Sequence, residues 1–363
     1  MKIARPAMLV ALAAAALALP VATATAKTEH YAHPYTHVRP NAQASPYGLS
    51  PAQIKSAYSF PTSLTAGGGK TIAIVDAFDD PTAESDLATF SSQYGLPQCT
   101  TANGCFTKVA QNGSKRYPRV DQGWALEISL DVQWAHAIAP GAKILLVEAK
   151  TNSFTNLMAA EDYAKAQAQY VSNSWGGSEF SSESAYDSHF SAPGVSFFVS
   201  SGDNGTPAEY PSSSPNVISV GGTTLNFDAS GGLAGETGWS GSGGGCSLYE
   251  AATGAQINSP TFGQVNCGTS RGTPDVSLDA DPASGVSVYD STPYQGQSGW
   301  WRVGGTSASA PMWAARSAAL GSVVNSPFVY GNSISYRDIT SGNNGLAALA
   351  GYDLVTGLGS WVG

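Results

Sequence analysis

Apolar runs alternate with amphipathic stretches between residues 71 and 220, a pattern typical of α/β proteins. Thr71–Ala77 reads T-I-A-I-V-D-A, a nearly continuous apolar run that predicts a strand buried on both faces of a parallel sheet. Further strands are predicted over residues 143–148, 170–174, 195–200 and 217–220. Helices are predicted over residues 51–59, 82–94, 123–138, 154–166 and 306–320. This alternation indicates an α/β fold with a mostly parallel central sheet flanked by helices.

The later part of the chain has a different pattern. Residues 222–300 are rich in turn-forming residues, which predicts antiparallel hairpins. Neither an internal repeat nor a linker interrupts the chain, so we expect a single large domain over residues 48–363.

Composition and charge narrow the possible functions. Hydrophobic residues make up 42% of the 363-residue chain and charged residues only 12%, which allows a sizeable core and excludes disorder for most of the chain. The 17 basic and 26 acidic residues give a net charge of −9, and no basic run is longer than Lys115–Arg116. Because a phosphate-binding surface needs clustered cations, we expect no nucleic-acid partner. We also expect a monomer.

The amino terminus has the pattern of an export signal. Lys2 and Arg5 precede an apolar run over residues 8–21, and residues 24–26 read A-T-A, which fits a cleavage site. The run is shorter than the roughly 20 residues that a membrane-spanning helix needs, so we favour a signal peptide over residues 1–26 to a membrane anchor. We therefore expect a secreted, extracellular protein without a membrane partner.

Three of the five histidines, His30, His33 and His37, lie in a short leader over residues 27–47. One interpretation is a metal-binding segment. We favour the other, a mobile N-terminal tail.

The four cysteines fit an oxidising compartment. Three pairings are possible. We predict the disulfides Cys99–Cys105 and Cys246–Cys267, because each of these pairs brackets one turn-rich segment.

The predicted helix over residues 123–138 carries two acids in an apolar stripe. Successive helical residues are about 100° apart, which places Glu127 and Asp131 on the same face as Trp124. Buried adjacent carboxyl groups are costly unless they share a proton or find partners, so they indicate proton transfer. The alternative is a helix turned so that both acids lie at the rim. His136 lies on the opposite side of the helix, and we expect it at the surface.

Two serines stand in sequence contexts that suit a nucleophile. Ser270 lies in a G-x-S-x-G match over residues 268–272, but no apolar strand precedes it, so we interpret the match as chance. A serine esterase that uses Ser270 is the corresponding alternative. Ser307 lies in G-G-T-S-A-S-A-P, where small residues lead into a helix. Pro311 suggests that this is the first turn, whose N–H groups favour negative charge. The alternative is an ordinary serine N-cap.

These motifs together resemble the sedolisins, the serine-carboxyl peptidases. G-G-T-S-A-S-A-P is similar to the serine motif that subtilisins and sedolisins share. The chain has no histidine in the H-G-T context of subtilisins, whereas Glu127 and Asp131 match the E-x-x-x-D pattern of sedolisins. Asp203 lies in S-G-D-N-G after a predicted strand, as the family's further aspartate does. The resemblance extends from about residue 48 to the end and implies a subtilisin-like fold.

The resemblance implies a role for each of these side chains. Ser307 would be the nucleophile, Glu127 the base that takes its proton, and Asp131 the hydrogen-bond partner of Glu127. Asp203, when protonated, would donate a hydrogen bond to the oxyanion. Asp76 and Trp175 would be supporting residues, which lie next to these catalytic side chains rather than at the substrate.

One of these supporting positions departs from the family. Family members carry Glu where Asp76 stands, so its side chain is shorter here. The alternative is that Asp76 only caps the turn that follows its strand.

The C-terminal segment resembles the family's calcium site. Asp338 and Asp353 would supply carboxylate oxygens, and Ile339, Leu349 and Gly351 backbone carbonyls, which are ligands that suit one Ca²⁺ ion. The family usually has Gly where Leu349 stands, and a carbonyl ligand survives this change if the backbone there does not need a positive φ. The alternative is two aspartates in ordinary turns.

The resemblance implies a secreted serine-carboxyl endopeptidase that acts on proteins or peptides at acid pH. Family members typically carry a large folded prodomain, and we expect no full prodomain in residues 27–47. The alternative function is a non-catalytic secreted binding protein on the same fold.

Overall fold

A computed structural model describes residues 1–3, 28–39, 41–331 and 333–363. The helices are α1 (Pro51–Tyr58), α2 (Ala83–Tyr94), α3 (Gln122–Ile138), α4 (Phe154–Gln167), α5 (Gly254–Ile257), α6 (Thr306–Leu320) and α7 (Ser326–Tyr330). Short 3₁₀ helices cover Glu183–Phe190 and Phe262–Val265.

The strands before residue 220 include those of the predicted parallel sheet. They are β1 (His33–Pro34), β2 (His37–Val38), β3 (Thr71–Ala77), β4 (Phe106–Ala110), β5 (Lys143–Ala149), β6 (Tyr170–Asn173), β7 (Trp175–Ser178), β8 (Ser196–Ser200), β9 (Glu209–Tyr210) and β10 (Ile218–Phe227). The later strands are β11 (Leu233–Gly238), β12 (Gly245–Ala251), β13 (Ser270–Thr273), β14 (Val276–Asp279), β15 (Val286–Tyr294), β16 (Gln297–Gly304), β17 (Ser335–Arg337) and β18 (Ser360–Val362).

A ten-stranded sheet forms the centre of the fold. Its order is β17-β18-β14-β10-β8-β6-β3-β5-β4, with β11 paired to β10. All pairs are parallel except β17–β18 and β10–β11. This confirms the predicted subtilisin-like α/β fold with a mostly parallel sheet.

Apolar side chains are buried on both faces of this sheet. Alternate residues of β3 point to opposite faces. Ile72 and Ile74 belong to the same apolar cluster as residues of α3 and α6, whereas Ala73 and Val75 belong to the cluster that includes α4. The continuous apolar pattern of this strand therefore reflects burial on both faces.

Most predicted elements agree with the observed ones to within one residue at each end, and β3 and α6 have the predicted bounds. The β10 strand extends to Phe227, well beyond the predicted residues 217–220, and β4 was not predicted. The α3 helix has Asp121 as its N-cap, since the side chain accepts hydrogen bonds from the backbone of Gly123 and Trp124. Two expectations are wrong. The β14 strand joins the parallel sheet although it lies within residues 222–300. Pro311 lies beyond the first turn, inside α6.

Both predicted disulfides are present. Cys99 bonds to Cys105, which spans the turn before β4. Cys246 bonds to Cys267 and ties β12 to the segment that leads into β13.

The predicted signal peptide lies almost entirely outside the described residues, since residues 4–27 are not among them. Of the helices that the structure describes, none combines the length and the apolar character needed to cross a bilayer. The leader is not a mobile tail in this structure. Its β1 strand pairs with β7, and its β2 strand pairs with β16.

Candidate active site

The predicted catalytic residues meet at the carboxyl edge of the parallel sheet. Asp76 lies near the end of β3, and Asp203 follows β8. Ser307 lies in the first turn of α6, and Glu127 and Asp131 lie on α3, which packs against α6. The carboxyl edge of a parallel sheet is where ligands bind in open α/β folds.

The first turn of α6 holds Ser307 against the loop after β6. Its hydroxyl donates to the backbone carbonyl of Ser174 at 3.4 Å. Pro311 has no N–H to donate to the carbonyl four residues earlier, which is that of Ser307. This freed carbonyl lies 3.4 Å from the Ser174 hydroxyl oxygen, a longer contact than the 2.9 Å over which the same hydroxyl donates to Asp131. The proline therefore lets the loop and the helix bind each other through polar groups.

Glu127 and Asp131 are completely buried. Burial raises the pKa of Glu127 well above its ordinary value, and the nearby carboxyl groups of Asp131 and Asp76 raise it further, while the hydroxyl of Ser307 lowers it. Burial also raises the pKa of Asp131, while a hydrogen bond of 2.9 Å from the Ser174 hydroxyl lowers it. Both Glu127 oxygens lack a regular hydrogen-bond partner among the described residues. The two Glu127 oxygens are therefore not committed to a regular hydrogen bond with another described residue.

Asp76 continues this group of acids to the neighbouring strand. Asp76 is fully buried. Burial raises its pKa the most, and the charges of Asp131 and Glu148 raise it further. Glu148 lies directly beside it in the parallel register of β3 and β5. Lys108 places its Nζ 3.3 Å from Glu148 Oε1. The acids therefore extend from Ser307 to a lysine on β4.

Sequence reasoning missed Glu148 and Lys108. The signal that could have found Glu148 was an acid near the end of an apolar strand, in the same position as Asp76 on its own strand. Burial raises the pKa of Glu148 to about 9, although the positive charge of Lys108 lowers it.

Asp203 lies beside the N-terminus of α6. Its Oδ1 accepts hydrogen bonds from the Thr306 backbone at 2.8 Å and from the Thr306 hydroxyl at 2.9 Å. Its Oδ2 faces Gly305, whose φ is +106°. A Cβ at Gly305 would lie 2.6 Å from this oxygen and would collide with the carbonyl oxygen of Tyr35. Burial raises the pKa of Asp203, while its contact with His37 lowers it.

The leader crosses the site between two strands. On one side His33 pairs with Gly176 of β7, and on the other His37 pairs with Gly304 of β16. Both pairings are antiparallel. The link between them contains Tyr35, whose side chain is only 1% exposed.

Trp175 is the predicted supporting tryptophan. It is buried, and its indole N–H donates to the Val75 carbonyl at 2.8 Å. This bond joins β7 to the strand that carries Asp76.

Two other residues named from the sequence lie outside the site. His136 is fully buried, and its Nε2 lies 2.8 Å from the Pro97 carbonyl, so the expectation of a surface histidine is wrong. Helix α3 packs against α2, α6 and β15, and it therefore has no solvent face at this position. Ser270 begins β13, and no helix follows it directly as a nucleophile elbow requires.

The C-terminal segment brings the predicted calcium ligands into one loop. Asp338 Oδ2 accepts a hydrogen bond of 2.9 Å from the Gly351 N–H, and Asp353 Oδ2 accepts one of 2.9 Å from the Leu349 N–H. Leu349 is not among the residues with a positive φ, so Leu is compatible with this backbone. Asp353 Oδ1 also accepts hydrogen bonds from the N–H groups of Val355 at 2.8 Å and Thr356 at 2.7 Å. No lysine or arginine of the described residues forms an ion pair with either carboxylate.

The chain is similar to proteins of known activity. The model of the subtilase family matches residues 112–332. Kumamolisin of Bacillus sp. (strain MN-32) is 32% identical over 88% of this chain and 63% of its own length. Sedolisin of Pseudomonas sp. (strain 101) is 28% identical over 91% of this chain and 63% of its own length. The chain thus spans less than two thirds of the length of these relatives.

A solved structure extends the similarity to three dimensions. Pseudomonas sedolisin, a serine-carboxyl proteinase complexed with two molecules of pseudo-iodotyrostatin, is 29% identical with a TM-score of 0.72. The match covers 87% of this chain and 96% of the sedolisin chain. A psychrophilic protease that is 17% identical shares the fold, with a TM-score of 0.58 over 88% of this chain and 98% of its own.

Proposed function

Because this chain belongs to the subtilase family, in its sedolisin group, we propose that it is a serine-carboxyl peptidase that hydrolyses proteins or peptides at acid pH. The observation that carries the proposal is the position of Ser307 beside the buried pair Glu127 and Asp131. Among the described residues, no cation forms an ion pair with either acid. Two neighbouring buried carboxyl groups without a cation favour a shared proton, which is suited to proton transfer.

In the proposed mechanism, Ser307 attacks the carbonyl carbon of the peptide bond. A serine hydroxyl reacts slowly unless a base removes its proton. Glu127 accepts this proton as the Oγ–carbon bond forms, and Asp131 stabilises the pair by sharing charge. Glu127 then returns the proton to the nitrogen of the leaving amine as the carbon–nitrogen bond breaks. Water hydrolyses the acyl-enzyme through the same residues.

Asp203 is proposed to stabilise the oxyanion. Its Oδ1 is held by Thr306, while its Oδ2 faces the space beside Gly305. An ionised carboxylate has no proton to donate, so Asp203 acts in its neutral form. The burial that raises its pKa supports this role at acid pH.

Calcium and secretion belong to the same proposal. Asp338 and Asp353, with the carbonyls of Ile339, Leu349 and Gly351, would hold one Ca²⁺ ion, which would fix the C-terminal loop by binding only the folded chain. The two disulfides and the export pattern over residues 1–26 favour an extracellular protein. A monomer without nucleic-acid or membrane partners remains our expectation.

A digestion assay tests the function against the alternative of a binding protein. The full chain is incubated with casein at about pH 4, with Ser307→Ala as the inactive variant and Ser270→Ala as the matched serine control. A peptidase of the proposed kind digests casein as wild type and as Ser270→Ala, but not as Ser307→Ala. Wild-type protein that binds casein without cutting it would establish the alternative.

A further inference from the structure

Three charged or acidic side chains of neighbouring strands point to the same face of the central sheet. Asp76 of β3 lies beside Glu148 of β5, and Glu148 lies beside Ala110 of β4, two residues after Lys108. Residues two apart in a strand share a face. Asp76 therefore shares the face of Ile74, which belongs to the same apolar cluster as residues of α3. Glu148 thus lies between Asp76 and Lys108 on the face that α3 covers.

The two oxygens of Glu148 have different surroundings. Oε1 accepts a hydrogen bond of 3.1 Å from the Asp80 N–H and lies 3.3 Å from Lys108 Nζ. Both of these groups can only donate. Oε2 is buried and has no regular hydrogen-bond partner among the described residues. A proton on Glu148 therefore belongs on Oε2, because a proton on Oε1 would face two donors.

Lys108 does not need an ionised Glu148 to balance its charge. Its Nζ lies 2.5 Å from Asp79 Oδ1, which is closer than Glu148 Oε1. The other cations near Glu148 are exposed and line an adjoining cavity of about 580 Å³: Arg116, Arg119 and Lys150. Water and salt screen exposed charges. Burial raises the pKa of Glu148 to about 9, which supports a protonated Glu148 at acid and neutral pH.

Asp76 is the neighbouring acceptor for the Glu148 proton. It is fully buried, and neither of its oxygens has a regular hydrogen-bond partner in the described part of the chain. Neighbouring strands lie about 4.8 Å apart, a distance that two carboxyl groups on the same face can bridge with a hydrogen bond. After burial itself, the charges of Asp131 and Glu148 raise the pKa of Asp76. Asp76 therefore interacts with an acid on each side.

We infer that Glu148 is a positioning residue of the peptidase: it stays protonated, donates a hydrogen bond from Oε2 to Asp76, and so turns the proton of Asp76 towards Asp131. This inference rests on the proposed function. A buried carboxylic acid that stays neutral can act as a hydrogen-bond donor. Oδ2 of Asp131 is buried without a regular partner among the described residues, so it is free to accept the proton of Asp76.

This chain of donors acts on the charge of the catalytic pair. A hydrogen bond to the ionised form of a carboxyl group lowers its pKa. The proton of Asp76 therefore favours one negative charge on the pair Glu127 and Asp131. In that state Glu127 can accept the proton of Ser307 at acid pH, whereas a fully protonated pair cannot.

Glutamine and leucine distinguish a neutral Glu148 from an ionised one. Glutamine keeps an acceptor for the Asp80 N–H and Lys108 and a donor for Asp76, but it cannot ionise. Leucine is of similar size and has neither donor nor acceptor. Glutamine should therefore replace Glu148 if the neutral acid is the working form, and leucine should not.

The first experiment measures kcat/KM on a peptide substrate between about pH 2 and pH 6. Glu148→Gln should stay within about threefold of wild type and keep its acid limit, the pH below which activity falls. Glu148→Leu should lose about tenfold or more and move the acid limit upward by about one pH unit, because the pair is then more easily protonated. Glu161→Leu is the matched control, since Glu161 is buried on α4, and it should keep the wild-type acid limit.

Two results of this experiment would overturn the inference. If Glu148→Gln loses as much activity as Glu148→Leu, the ionised form of Glu148 is the one that matters. If Glu148→Leu keeps the wild-type activity and acid limit, Glu148 does not act on the catalytic pair.

The second experiment observes the proton itself and does not need a folded leucine variant or an active enzyme. Infrared spectra of wild type and Glu148→Gln are compared at about pH 7, where protonated carboxyl groups and carboxylates absorb at separate frequencies. Wild type should show one protonated carboxyl group more than Glu148→Gln, with the same carboxylate absorption. A loss of carboxylate absorption in Glu148→Gln would mean that Glu148 is ionised and would overturn the inference.

Casein digestion separates this inference from the proposed function. If wild type digests casein through Ser307 but either experiment gives the contrary result, the inference is wrong and the proposed function stands. If wild type does not digest casein, the proposed function fails and the inference fails with it.

Discussion

Nε2 of His37 lies 3.1 Å from Oδ2 of Asp203. The side chain of His37 is 47% exposed and that of Asp203 is 3% exposed, so the contact joins the leader to the buried side of the site. A positive charge on His37 favours the ionised form of Asp203, whereas the proposed role of Asp203 needs its neutral form. The leader therefore places a titratable imidazole directly beside the proposed oxyanion donor.

We predict that the pKa of His37 lies above its ordinary value in the folded chain. The hydrogen bond to Asp203 raises the pKa of His37, while burial opposes the shift. The measurement is an NMR titration of histidines in the Ser307→Ala variant, which keeps the leader. Adding Asp203→Asn should lower the His37 pKa, because the carboxylate is lost.

His136 is the internal control for this titration. Burial lowers the pKa of His136, which lies on α3 with its Nε2 at the Pro97 carbonyl. Its titration should not respond to Asp203→Asn. A His37 pKa that stays the same in the Asn variant would contradict the contact.

Ser307→Ala and Glu127→Gln should each reduce peptidase activity by about three orders of magnitude or more, with the fold retained. The reason is that nucleophile and base act as one unit, so the double variant should be hardly worse than either single variant. The measurement is kcat/KM on a peptide substrate, with circular dichroism as the check on folding. Activity of Glu127→Gln above about a tenth of wild type, a loss below 1.4 kcal/mol, would exclude Glu127 as the base.

Asp203→Asn should move the alkaline limit of activity upward. Burial raises the pKa of Asp203, so wild-type activity falls when pH rises through that value and the donor proton is lost. An asparagine amide donates at every pH, even if peak activity drops by about 10²–10³. The measurement is kcat/KM across pH on a peptide substrate that the wild-type chain cuts. An active variant with the wild-type alkaline limit would assign that limit to another group.

Activity should also fall at very low pH. The Glu127 and Asp131 pair must then be fully protonated, and it can no longer accept the serine proton. Because the two carboxyl groups are coupled, this limit belongs to the pair.

Removal of calcium should lower the melting temperature. A ligand that binds only the folded chain stabilises it by about 2.7 kcal/mol at a hundredfold excess over Kd. Melting is measured with and without a chelator, in wild type and in Asp353→Ala, which should have lost the sensitivity. A wild-type chain that contains no calcium and does not respond to chelator would exclude the site.

The folded chain should be more stable at pH 4 than at pH 8. Burial raises the pKa of Glu161 and of Asp279 to about 8 each. A folded-state pKa above the unfolded one gives stability that is present below the unfolded pKa and is lost as pH rises through the folded pKa. For these acids the loss runs from about pH 4 to about pH 8.

Glu161→Gln tests this dependence away from the site. Glu161 is fully buried on α4, and its replacement should raise stability at pH 8 by up to about 4 kcal/mol while changing little at pH 4. The exposed Asp228→Asn is the control, and it should give no gain at pH 8, because hydrogen bonds led by that from Ser230 lower the pKa of Asp228. Equal effects of Glu161→Gln at both pH values would contradict the prediction.

Local pattern was enough for the main helices, for most strands of the parallel sheet and for the motifs, but not for β4 or for the pairing of β14. The apolar run of β3 and the turn-bracketed cysteines could be read from the sequence, because strand burial and short disulfide loops depend on neighbouring residues. The sequence also placed Glu127 and Asp131 one helical turn apart on α3. Their assembly with Ser307 and Asp203 was predicted through resemblance, and the fold brings these residues together.

Helix periodicity gave wrong predictions for residues that pack against several other elements at once. The prediction of a surface position for His136 assumed a single buried face, whereas α3 packs against α2, α6 and β15. Pro311 suggested a first turn, but it lies inside α6, where the carbonyl that it frees faces the Ser174 hydroxyl of a distant segment at 3.4 Å.

The amino-acid sequence by itself determined which chemical groups the chain carries, since the proposed nucleophile, the acids and the cysteines are residue types at fixed spacings. Only the tertiary structure decided which groups act on one another. Glu148 reaches Asp76 through the register of two parallel strands, and Tyr35 reaches Glu209 because the leader pairs with β7 and β16. These pairings use backbone N–H and C=O groups, which nearly every residue has, and so no side-chain pattern marks them in the sequence.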